Sequence, residues 1–124
     1  MRALIVDDSR AIRAIIARTL KELGVAETVE AANGKDALAA MAAKGPFQLA
    51  MVDWNMPVMN GYEFLVEART TVTSEVMKII MCTTETEVEQ VAKALSAGAD
   101  EYVMKPFTKE AVQSKLEMLG LSGT

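Results

Sequence analysis

Ala3-Leu4-Ile5-Val6-Asp7-Asp8-Ser9 opens the chain with four apolar residues, two carboxylates and a hydroxyl. A short apolar run without alternation reads as a strand buried on both faces. The period then changes. Ile12, Ile15, Ile16, Leu20 and Leu23 recur at helical spacing, and Gly24 ends the stripe. Strand, acidic turn and amphipathic helix make one βα unit, and four more follow. Residues 28–31 form a weak strand, short enough for a sheet edge, and Asn33-Gly34 turns into a helix with Ala37, Leu38 and Met41 that Gly45-Pro46 stops. Residues 49–52 run as a buried strand into Asp53, and a loop with Pro57 and Gly61 leads to a helix with Phe64, Leu65 and Ala68. Residues 78–82 are the fourth strand; Val88, Val91, Ala92 and Leu95 stripe the fourth helix, which Gly98 closes. Residues 102–104 are the fifth strand, and Thr108 caps a last helix with Val112, Leu116 and Leu119 inward. Five such units define an α/β fold: a doubly wound parallel five-stranded sheet with helices on both faces and right-handed crossovers. In such sheets the functional site lies beyond the carboxyl ends of the strands, where the winding reverses.

The 124 residues suffice for one domain, 1–124, able to bury a core without disulfide or metal. With 51% apolar and 24% charged residues the chain is globular, and its net charge of −4 argues against nucleic-acid binding. There is no His. That excludes Ser-His-Asp and Cys-His catalysis, His-ligated zinc, and the His-bearing role in a phosphate relay. The single Cys82 cannot form an internal disulfide, which fits a reducing compartment. The first apolar run stops at Asp7, too short for a signal peptide or a membrane span, so a soluble cytoplasmic protein is expected.

The strand ends carry the chemistry. Asp7-Asp8 follow the first strand, Asp53 the third, Thr83 the fourth and Lys105-Pro106 the fifth. Singly, each has an ordinary explanation: Asp8 or Ser9 as a helix cap, Thr83 as another, Asp53 with Pro57 and Gly61 as turn chemistry. Together they do not. Three converging carboxylates repel one another unless a cation compensates, and a hard divalent ion with oxygen ligands is the natural partner. Lys105 and the Thr83 hydroxyl then supply a charge and a donor for phosphoryl oxygens, so the set suits phosphoryl chemistry on an Asp. Cys82 and the methionines read as core filler.

These landmarks resemble the receiver domains of bacterial response regulators, most closely the CheY-like single-domain chemotaxis regulators. The likeness spans Leu4 to Leu119 and rests on Val6-Asp7-Asp8-Ser9, Asp53-Trp54-Asn55-Met56-Pro57 with Gly61, Thr83-Thr84, and Tyr102-Val103-Met104-Lys105-Pro106-Phe107. The resemblance implies the flavodoxin-like strand order 2-1-3-4-5. It implies Asp53 as phosphoacceptor, and Mg²⁺ (or Mn²⁺) held by Asp8, by Asp7 through water, by Asp53 and by the Asn55 carbonyl. It makes Lys105 and Thr83 phosphoryl contacts, Thr83 and Tyr102 the switch pair, and the Lys105–Pro106 bond cis. Asn55 and Glu85 would flank and orient the water that removes the phosphoryl group. Thr84 stands where the family usually has Ala or Gly, and its branched side chain would crowd that approach; orientation is expected to outweigh crowding, giving a short-lived phosphoryl group. The implied partners are a sensor histidine kinase, a target such as a flagellar motor switch protein, and a phosphatase, with a monomeric switch that is not an enzyme in its own right.

Two other classes compete. A phosphatase of the haloacid dehalogenase type also uses an Asp nucleophile, but needs a second Asp two positions on, where Asn55 cannot transfer protons, and a cap segment that is missing. A flavin or nucleotide module needs a Gly- or Ser/Thr-rich phosphate loop where this chain places Asp7-Asp8. Within receivers, the chain ends soon after the fifth helix, so the signal is expected to leave through surface contacts near Tyr102. A phosphorelay intermediate passing phosphate to another protein's His is the alternative output.

Overall fold

A computed structural model describes residues 1–121, with backbone only for residues 85 and 86. The elements follow as β1 (Arg2–Val6), α1 (Arg10–Glu22), β2 (Glu27–Ala31), α2 (Gly34–Lys44), β3 (Leu49–Asp53), α3 (Gly61–Ala68), β4 (Lys78–Thr83), a 3-10 segment (Glu85–Gln90), α4 (Val91–Ala97), β5 (Glu101–Met104) and α5 (Lys109–Met118). All strand pairs are parallel, in the order β2-β1-β3-β4-β5. The weak second strand therefore lies at an edge, which explains its exposed Glu27 and Glu30.

Alternation along buried strands sorts side chains into two cores. Leu4, Val6, Ala50, Val52, Ile79 and Met81 face one side and pack with Ala37 of α2, Phe64 and Leu65 of α3 and Ala94 of α4. Ala3, Ile5, Leu49, Met51, Ile80 and Cys82 face the other and pack with Ile16 and Leu20 of α1 and Val112 and Leu116 of α5. Cys82 is wholly buried in this second core, and burial pushes its thiol up to about 12. It stays a neutral packing group. Caps fix where helices begin. Ser9, Asn33 and Thr108 accept from Ile12, Asp36 and Ala111 N–H groups, and Asn60 with Glu63 forms a reciprocal capping box on α3.

Two apolar stripes differ from the sequence pattern. Ile15 is 46% exposed, because Ile16 and Leu20 fill the centre of the inward face of α1, with Ile12, Ala17 and Leu23 packed partly against the same core. In the fourth helical region Val88 and Leu95 are exposed, and Val91 and Ala94 face the sheet. A 3-10 segment advances three residues per turn, so the Val88 position falls out of register with the α-helix that begins at Val91. Among the described residues no helix is long and apolar enough to cross a membrane.

Gly61 sets the entry angle of α3 and hence the loop after Asp53. Its N–H donates to the Trp54 carbonyl at 2.9 Å, and a methyl there would lie 2.2 Å from the Asp53 carbonyl oxygen. That neighbour is backbone and cannot rotate away. Gly61→Ala is expected to cost about 2 kcal/mol or more of stability, read as a lower urea midpoint; an unchanged midpoint would show that the loop is free to shift.

Candidate functional site

Strand register builds the site. Val6 pairs with Val52, Asp53 with Cys82, and Thr83 with Met104, so Asp7, Asp53, Thr83 and Lys105 emerge at one end of the sheet. Carboxylate oxygens of Asp7, Asp8 and Asp53 all lie within 4.8 Å of one another. Asp7 and Asp53 are buried, whereas Asp8 is exposed. The Lys105 ammonium reaches into this cluster and donates to Asp53 Oδ1 at 2.7 Å and Asp7 Oδ2 at 2.9 Å. The Lys105–Pro106 peptide bond is cis, and the Lys105 N–H donates to the Thr83 carbonyl at 2.6 Å, tying the ends of β4 and β5 together.

Asp7 is held from several sides. Its Oδ1 accepts from the Ser9 N–H at 2.8 Å, its Oδ2 from Lys105, and its carbonyl from the Arg13 guanidinium at 2.7 Å. Asp8, exposed at the mouth, is the more available ligand. Burial raises the Asp53 carboxyl above the usual carboxylate range; the Lys105 hydrogen bond and charge pull it down, and the charges of Asp7 and Asp8 push it up again. Burial works against the Lys105 ammonium, but its hydrogen bonds to Asp53 and Asp7 outweigh this and raise its pKa. Three hard oxygen donors around a site with excess negative charge fit a divalent cation of the Mg²⁺ or Ca²⁺ type.

Thr83 is completely buried, and among the described residues its hydroxyl makes only long contacts, 3.5 Å to the Val103 carbonyl and 3.6 Å to the Met104 sulfur. Helix capping at this point falls to Thr84. Tyr102 pairs with Met81, which places it diagonal to Thr83 on the same sheet face. Its ring is half-buried with the Lys115 ammonium 4.9 Å from its centroid. Trp54 is buried beside Asp53 and stacks at a tilt on Tyr62, 6.1 Å between centroids. The Asn55 amide donates to Glu87 Oε2. Glu87 did not figure in the sequence reading, although Thr84-x-x-Glu87 carries the capping-box pattern that would have found it. The Glu85 side chain lies outside the described residues.

Comparison with known proteins places this architecture. Residues 3–117 match the response regulator receiver domain, and the chain belongs to that family. It is similar to chemotaxis protein CheY1 of Helicobacter pylori, 39% identical over 96% of both chains. It is 41% identical to the CheY homolog of Campylobacter jejuni over 94% of this chain and 90% of that one. The crystal structure of chemotaxis protein CheY4 of Vibrio cholerae superposes with a TM-score of 0.84 at 36% identity, covering 95% of this chain and 97% of that one. The fold and sequence are those of a CheY-type receiver, a class of signalling switch that binds a divalent metal at an acidic cluster of this kind.

Because the Asp53 carboxyl titrates above the ordinary range, protons compete with a cation there more strongly than at an ordinary Asp. Mg²⁺ affinity, read from Trp54 fluorescence, is expected to weaken as pH falls toward the raised Asp53 pKa, and Asp8→Ala is expected to lose at least tenfold in affinity. An identical titration curve in Asp8→Ala would place the cation elsewhere.

Proposed function

We propose that this chain is the phosphorylation-driven switch of a two-component system, with Asp53 as phosphoacceptor. The observation that carries this reading is the Lys105 ammonium seated between Asp7 and Asp53 beside the exposed Asp8. An Asp53 oxygen attacks the phosphorus of a phosphohistidine on a sensor histidine kinase; the P–O bond forms as the P–N bond breaks, and the imidazole leaves. Asp8, Asp53 and the Asn55 carbonyl, with Asp7 through water, would hold Mg²⁺ (or Mn²⁺), which would neutralise phosphoryl oxygens. Lys105 contacts the same group as a compact charge.

The output follows from how loosely Thr83 is held. Giving up contacts of 3.5 and 3.6 Å costs its hydroxyl little, so a phosphoryl oxygen can draw it over. Tyr102, diagonal on the same face, turns into the space released, and the surface of α4, β5 and α5 changes. The relatives' names as chemotaxis proteins support a target at the flagellar motor switch. The switch works as a cytoplasmic monomer of one domain, without nucleic acid or membrane. Water attacking at phosphorus ends the signal, alone or with a phosphatase; Asn55 and Glu85 orient it, and Thr84 crowds its approach.

Labelled acetyl phosphate is expected to leave an acid- and base-labile label on the native chain and none on Asp53→Asn. Label persisting on that variant would move the chemistry to another residue. Thr84→Ala is expected to speed loss of the label by about threefold, since a crowding effect under 1.4 kcal/mol is less than tenfold in rate.

A further inference from the structure

Glu87 is 6% exposed, and among the described residues no ion pair includes it. The nearest lysine along its segment, Lys93, is turned to the Tyr62 ring, 4.3 Å from the centroid. A buried carboxylate without a cation is costly unless strong donors meet it. Two do. Glu87 Oε1 accepts from the Thr84 N–H at 2.9 Å, and Oε2 from the Asn55 amide. One side chain thus joins the loop after Asp53 to the loop after Thr83, 32 residues apart at Asn55 and Glu87.

We propose that Glu87 is a positioning residue that sets the lifetime of the phosphoryl group by fixing the orientation of the Asn55 amide; the proposal rests on phosphoryl transfer to Asp53. A carboxylate only accepts hydrogen bonds, so it holds the amide nitrogen and leaves Asn55 Oδ1 as the free end. The water that attacks phosphorus directs a lone pair at the phosphorus and an O–H at an acceptor. Oδ1 is an acceptor; the amide nitrogen is not. An amide released from Glu87 flips between the two, and part of the time offers that water a donor it cannot use. Water adds to phosphorus, the bond from phosphorus to the Asp53 oxygen breaks, and the water's proton leaves with inorganic phosphate. Glu87 touches none of the reacting atoms, so its whole influence passes through Asn55.

Decay of phosphorylated protein after removal of labelled acetyl phosphate tests this. Glu87→Gln keeps the shape but offers one strong acceptor to two donors, and Glu87→Ala removes both. Each is expected to slow decay about three- to tenfold, more than it slows uptake. The double variant Asn55→Ala/Glu87→Gln is expected to decay no more slowly than Asn55→Ala alone. In the unphosphorylated chain, the Asn55 side-chain amide resonances are expected to exchange slowly with solvent and to lose that protection in Glu87→Gln. Decay that is unchanged or faster in Glu87→Gln, or effects of the two substitutions that add, would overturn the proposal while leaving the phosphoacceptor reading intact. A native chain that takes up no label would overturn both.

Discussion

The ammonium of Lys105, shared between Asp7 and Asp53, is the interaction on which the site depends. It spans 98 residues of sequence to Asp7 and 52 to Asp53, so it forms only when β1, β3, β4 and β5 stand in one order and one register. Two unit charges 4 Å apart attract by about 4 kcal/mol at an effective dielectric of 20, and desolvation of the two buried carboxylates and the half-buried ammonium offsets much of that. The bridge therefore makes an acidic cluster tolerable more than it stabilises the fold. Stability comes from the two apolar cores on either side of the sheet.

A cluster balanced by one monovalent side chain is poised for exchange. A divalent cation bound there would supply more charge to the same oxygens, and in the proposed switch Lys105 would then meet the phosphoryl group. The Thr83 hydroxyl waits beside it on weak contacts, and its carbonyl is already tied to the Lys105 N–H. The strand ends position Asp53 and Thr83, and the turns just beyond them carry Asp7, Asp8 and Lys105. Glu87 links two of the loops beyond the strands, accepting from the Asn55 side-chain amide in one and from the Thr84 backbone N–H in the other.

Much of this was legible in the sequence because buried parallel strands are short, apolar and unbroken, so residues 3–6, 49–52 and 78–82 mark themselves. The residue after each strand then falls at one end of the sheet without further information. Strand order was not legible from periodicity, since the buried runs of β1, β3 and β4 look alike; it came from the family resemblance and agrees with the structure. Ile15 and Leu95 misled because helical spacing reveals an apolar stripe but not the width of the face that packs. Glu87 was legible only as half of the Thr84-x-x-Glu87 capping box; its link to Asn55 was not, because an acidic residue in the run Glu85-Thr86-Glu87 looks solvated until the fold brings Asn55 to it.

Titration of the Asp53 side-chain carboxyl by carbon NMR tests the central claim most directly, that Lys105 holds an otherwise repulsive cluster together until a cation arrives. The midpoint is expected above the ordinary Asp value of about 3.9, higher again in Lys105→Met where the opposing charge is gone, and lower with saturating Mg²⁺. A midpoint at or below the ordinary value that does not move in Lys105→Met would contradict the account.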